Sequence, residues 1–156
     1  MNEDENWKPV IFDDISVLYL RLDRQNDEII SSYGLDSINP CQGKKGYHLP
    51  KSNDVEGLKE ARAELQGIID YYKDAGLLSK KVSSPYRFKG LIEMRLGGDY
   101  LNDAVESLSK AVKIDDNAMV FYDLGVAFRK LGDSEKAVEH FTAASKGFDK
   151  GYLGMG

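Results

Sequence analysis

The feature that most constrains this chain is a spaced pattern of large and small apolar residues near its C-terminus. It reads Phe121-x-x-Leu124-Gly125-x-x-Phe128, then Gly132, then Ala137-x-x-x-Phe141-x-x-Ala144. Steps of three and four place each set on one face of a helix. Small residues on that face let two helices approach, and the large ones fill the space between turns. The pattern therefore predicts helices over about 117–131 and 133–147, broken at Gly132, where glycine suits a helix end.

The pattern recurs. Phe88, Leu91, Ala104, Leu108, Ala111 and Asp116 lie 33 residues before Phe121, Leu124, Ala137, Phe141, Ala144 and Asp149. In this earlier copy Ile92 replaces the glycine and Arg95 the second aromatic. Another register would pair Gly90 with Gly125 and Leu96-Gly97 with Leu131-Gly132. It would bury Lys89 and Glu93, and burying unpaired charge is costly, so the 33-residue register is expected. The helices it gives span about 84–97, opened by Ser84-Pro85, and 99–114.

Residues 85–149, carrying both copies, resemble the tetratricopeptide repeat family. One departure is Asp149, where that family usually has proline. The resemblance implies an all-α fold, a short right-handed superhelical stack of antiparallel helix pairs. One repeat is expected at 84–116, a second at 117–149, and a tail at 150–156. Two repeats are fewer than the roughly three that a stable solenoid needs, so residues 1–80 are expected to close one end.

In that N-terminal region Ile11, Ile15, Leu18, Leu22, Ile29 and Tyr33 recur at near-helical spacing, which predicts a helix over about 11–32 ending at Gly34. Pro40, Gly43, Gly46 and Pro50 mark a long loop at 35–52. A second helix is expected from Asn53 or Asp54 to Gly76. Its Ala61-x-x-x-Leu65-x-x-Ile68 echoes the later copies. The two helices read as a cap or a degenerate repeat, the alternative being an unrelated helical hairpin that covers the first repeat's end. The total is six helices and no sheet.

Composition narrows the function classes. Net charge is −5. It belongs to residues 1–80, with 10 basic and 15 acidic side chains, whereas residues 81–156 carry 11 of each. This balance argues against a nucleic-acid partner, whose phosphates call for a basic face. The longest wholly apolar run, Val17–Leu20, is far short of the ~20 residues that a membrane span needs. The first residues lack the basic start and apolar run of a secretory leader, and one cysteine precludes an internal disulfide, so the expected compartment is the cytoplasm.

No catalytic, cofactor or metal site is expected. Two histidines and one cysteine are too few for structural zinc. Gly43-Lys44 lacks the first glycine and the Ser/Thr of a phosphate loop. Cys41 and His48 share the long loop and form the remaining enzyme hypothesis, a thiol with a base, but no hydrolase motif surrounds them. The family resemblance instead implies a non-catalytic adaptor or assembly factor that holds a peptide or helix in the concave face. Carried onto this chain, that groove comprises Met119, Tyr122, Val126, Arg129 and Lys130 in the better copy, and Tyr86, Lys89 and Glu93 in the other. Val126 and Tyr122 stand where a carboxylate clamp would need asparagine and lysine, so that clamp is not expected. The alternative is a self-associating scaffold, a homo-oligomer formed through the last repeat's edge at Val138, Phe141 and Phe148. Tyr152, Leu153 and Met155 are equally placed to fold back over that edge.

Overall fold

The structure is a computed structural model that describes residues 6–14, 16–40, 48–76 and 82–153, with side chains as far as Phe148. Eight elements follow one another: strands β1 (Trp7–Phe12) and β2 (Val17–Arg21), then helices α1 (Asp27–Tyr33), α2 (Val55–Asp74), α3 (Ser83–Leu96), α4 (Tyr100–Ile114), α5 (Ala118–Leu131) and α6 (Ser134–Leu153). The body is the expected all-α stack of helices. Helix α3 packs along α4 and α5 along α6; α2 lies against α3, and α4 against α5.

The N-terminal segment differs from its expectation. Residues 11–32 are not one helix: an antiparallel hairpin and the short α1 stand there instead. The deciding pattern has period two. Val10 and Phe12 point inward with almost no exposure, and Phe12 meets Phe88 at 5.7 Å between ring centroids. The carboxylate of Asp13 closes the turn by accepting from the Ser16 amide at 2.7 Å and its hydroxyl at 3.1 Å. Leu18, Leu22, Ile29 and Tyr33, assigned to a buried helical face by their spacing, are all exposed. Gly34 ends α1 in an extended conformation, where a Cβ would lie 2.4 Å from the Ile30 carbonyl oxygen.

The hairpin replaces the helix that would pair with α2. Phe12, Leu35 and Ile38 join Leu58, Ala61, Leu65 and Ile68 of α2 and Phe88 and Ile92 of α3 in one core cluster. The expected loop at 35–52 thus supplies core side chains at its start. Its return is marked by the paired backbones of Asn39 and His48, at 3.1 Å in each direction. A second cluster joins Met94 of α3, Ala104 and Leu108 of α4, and Leu124 and Ala127 of α5.

The hairpin turn also caps α3. Asp14 accepts from the Ser83 amide and hydroxyl, each at 3.0 Å, and from the Ser84 amide at 2.5 Å. These are the orphan donors of a helix N-terminus, which Ser84 was expected to serve from within the chain's own turn. At the far end α6 runs on to Leu153, beyond the expected fade near Gly147.

The packing fixes which residues of the two helix pairs correspond. A Cβ on Gly90 would lie 2.6 Å from Cγ of Leu108, and one on Gly125 would lie 2.8 Å from the Phe141 ring. Gly90 therefore does in α3 what Gly125 does in α5, so the first helices correspond at an offset of 35 while Ala104 and Leu108 keep the offset of 33 to Ala137 and Phe141. A stability pair tests this packing. Gly90→Ala is expected to cost about 1–3 kcal/mol by overpacking. Gly67→Ala, with nothing within 4 Å of the added carbon, is expected to gain up to about 1 kcal/mol in the exposed α2 interior. Urea unfolding of the two variants measures both.

Candidate functional site

Helix α3 carries two chemically different faces. At 3.6 residues per turn, Tyr86, Lys89 and Glu93 share one side, and Ser84, Arg87, Leu91 and Arg95 lie nearly opposite. With Gly90 matched to Gly125, the α5 stripe of Met119, Tyr122, Val126, Arg129 and Lys130 corresponds to the second of these sides. The structure therefore separates the eight sequence-derived groove residues. Five form the α5 stripe; Tyr86 and Lys89 line a cleft between α2 and α4, and Glu93 is buried behind its lining residues.

That cleft, of about 230 Å³, is lined by Arg62, Lys73, Tyr86, Lys89, Asp103 and Lys110, among others. Its floor is a buried ionic network. Glu93 is fully buried, yet both its oxygens are satisfied. Arg62 Nε and Lys89 Nζ each donate to Oε1 at 2.7 Å, and the Ser107 hydroxyl donates to Oε2 at 2.8 Å. Arg62 also reaches Asp103 at 2.9 Å and lies 5.3 Å from the Tyr100 ring centre. On the rim, Lys110 pairs with Glu106 at 2.7 Å. Hydrogen bonding to that ammonium lowers the Glu106 pKa, and hydrogen bonding to the carboxylate raises that of Lys110. The cations of this face are largely engaged by the protein's own carboxylates, which suits joining helices better than holding a ligand.

The same position in the next pair is apolar. Phe121, Phe128 and His140 stack there, His140 lying 5.2 Å from Phe128 with the rings 2° from parallel, and Val105 and Val112 of α4 pack alongside. Glu93 corresponds to Phe128 and Lys89 to Leu124. The sequence argument against burying them fails because the charges are paired: Arg62, 31 residues away on α2, completes the set.

The opposite side of α3 joins α5 through one ion pair. Arg87 Nε donates to Asp123 Oδ2 at 2.6 Å, and Asp123 is 7% exposed. Burial raises the Asp123 pKa, and Arg87 pulls it partly back. Arg95 donates to the Pro50 carbonyl at 2.6 Å. Both α3 arginines are thus committed to internal bonds. On α5, Met119 and Tyr122 are 42% and 47% exposed, and Arg129 and Lys130 are exposed without an ion pair among the described residues. Tyr122 rests on Phe141 at 5.5 Å between centroids, and the Arg129 guanidinium stands 5.9 Å from the same ring centre. The α5 stripe therefore offers a thioether, a phenol, a half-buried valine and two cations to a visitor.

Sequence reasoning missed Arg62, Arg87, Asp103, Ser107 and Asp123. The Gly90–Gly125 correspondence was the available signal for three of them, because it turns Arg87 toward Asp123 and Glu93 toward Ser107. Of the enzyme hypothesis, Cys41 lies outside the described residues, and His48 is exposed. Among the described residues no three His, Cys, Asp or Glu side chains gather into a metal-binding group, and no helix is long and apolar enough to cross a membrane.

No family model matches this chain, and no curated protein does. Among solved structures it is similar to one described as "Crystal structure of MamA", with 23% identity and a TM-score of 0.46, covering 65% of this chain and 71% of that one. A second, "Crystal structure of MamA protein", has 23% identity and a TM-score of 0.44, with 64% and 65% of the two chains covered. The fold and the functional reading rest on this chain's own residues.

Two stability experiments follow from the ion pairs. Arg62→Met leaves Glu93 short of a partner and is expected to cost about 3 kcal/mol in urea unfolding. Replacing the whole set as in the next pair, with Arg62→Val, Lys89→Leu and Glu93→Phe, is expected to restore wild-type stability or exceed it. Arg87→Met is expected to cost about 2–4 kcal/mol at neutral pH by stranding the Asp123 carboxylate. A carboxyl whose pKa is higher folded than unfolded binds its proton more tightly when folded, so its contribution to stability is lost as pH rises. The Arg87→Met deficit should therefore shrink as the pH falls from neutral toward the carboxylate range. Unfolding free energies across pH, with the wild type alongside, check the sign.

Proposed function

We propose that this chain is a non-catalytic protein–protein interaction module, an adaptor or assembly factor. Its site is the α5 stripe of Met119, Tyr122, Val126, Arg129 and Lys130, continued by Leu91 and Ser84 of α3. The observation that carries the reading is the contrast between the two sides of the stack. On the cleft side Arg62, Lys89 and Lys110 are paired with the protein's own carboxylates; on the α5 stripe two cations have no ion pair among the described residues, beside two large, exposed side chains. Met and Tyr give contact area with adaptable or aromatic character. Arg129 suits a carboxylate, which it can grip through two donors. The ligand chemistry that fits is a peptide or helix with an apolar anchor for Met119 and Tyr122 and an acidic group for Arg129 and Lys130.

The test is the affinity of a purified partner recovered with the wild-type chain. Tyr122→Ala combined with Arg129→Glu is expected to weaken it about 100-fold or more, the effect of removing an aromatic anchor and reversing a charge. Lys110→Ala, on the cleft side, should leave it unchanged. Affinity indifferent to the first variant and lost in the second would move the site to the opposite face.

A further inference from the structure

The second helix of each pair uses one stripe at every junction of the stack. On α2 it is Arg62, Leu65, Ile69 and Tyr72. Helix α3 covers it, with Arg62 on Glu93 and Leu65 and Tyr72 in the cluster of Phe88 and Ile92. On α4 it is Val105, Leu108 and Val112, gathered with Leu124 and Phe128 of α5. The same positions on α6, 33 residues further, are Val138, Phe141 and Ser145, followed one turn on by Phe148. Among the described residues the stripe is open: Val138 is 63% exposed and Phe148 46%, while Phe141 lies between Gly125 and Tyr122. The side chains of Tyr152, Leu153 and Met155, equally placed to fold over it, lie outside the described residues.

This stripe is ready to be buried. The Thr142 hydroxyl donates to the Val138 carbonyl at 2.8 Å and the Ser145 hydroxyl to the Thr142 carbonyl at 2.9 Å, so covering it would strand neither group. Among the described side chains, the charges beside it are sorted along the helix. Glu135 and Glu139 flank the N-terminal half and Lys146 the C-terminal half; all three are exposed and have no ion pair among the described residues.

We propose that the open stripe is the interface of a symmetric dimer, in which α6 lies antiparallel against α6 of a second copy. A twofold axis near Phe141 and Thr142 turns the partner helix end for end. Lys146 of each copy then stands beside Glu135 and Glu139 of the other, and Val138 and Phe148 of the two copies close over each other. This complementarity of Lys146 with Glu135 and Glu139 selects a second copy, lying antiparallel, as the occupant. The interface adjoins Tyr122 but does not depend on the peptide site proposed above.

Light scattering after size exclusion, over a range of concentrations, tests this. The wild type should pass from monomer to dimer as concentration rises. Lys146→Glu alone, and Glu135→Lys with Glu139→Lys, should each weaken self-association about tenfold or more. An equimolar mixture of the two variants should dimerise again, because each then meets its opposite. Circular dichroism confirms that both variants are folded. A wild type that stays monomeric at every concentration leaves the stripe to a helix of another protein and overturns the proposal. So does a dimer that the charge variants leave unchanged.

Discussion

One carboxylate organises the middle of this stack. Glu93 sits where three helices meet and takes a bond from each of them: Arg62 of α2, Lys89 of α3 and Ser107 of α4. Burying such a group is tolerable only while every oxygen is occupied. That requirement fixes the rotation of α3, because turning the helix would strand the charge. The rotation in turn sends Arg87 toward Asp123, Phe88 toward the hairpin and Met94 toward Leu124. The proposed α5 site follows from the same setting, since α3 and α5 are locked in phase by the Arg87 pair.

The network also explains why the stack is not a plain array of repeats. The junction of α4 with α5 and α6 is apolar and filled by rings, whereas that of α2 with α3 and α4 adds to its apolar cluster an ionic network and a cleft. Apolar packing is indifferent to small rotations, while directed hydrogen bonds are not. The α2 junction thus carries orientation as well as burial, and the α4 junction carries burial. At the N-terminal end, the hairpin and residues 35–38 cover α2 with Phe12, Leu35 and Ile38 in place of a helix.

Much of this was legible in the sequence, for physical reasons that can be named. Helices α2, α4, α5 and α6 announce themselves through alanines and large residues at steps of three and four, since close packing between helices demands that spacing. The stripe on α5 was readable because its own glycine fixed its phase. The phase of α3 was misread because its charged residues look exposed one at a time, and the residue that permits their burial is 31 positions away. The hairpin was misread because Ile11, Leu18 and Leu22 fit a helical spacing by coincidence, while the deciding pair, Val10 and Phe12, is too short a run to assert a period of two. Local pattern specifies an element well when its neighbours are its own repeat unit, and poorly when its environment arrives from elsewhere in the chain.

The cap that Asp14 places on α3 has a further consequence, for the order in which the fold assembles. It closes 69 to 70 residues, whereas the Arg62, Arg87 and Arg95 bonds of the stack close between 31 and 45. The entropy of closing a loop grows with its length, so the nearer contacts of the helix pairs are the less costly to form. The helical body can therefore gather first with the leading amides of α3 still bound to water. The hairpin then arrives as a latch, exchanging that water for a carboxylate and joining the beginning of the chain to its middle.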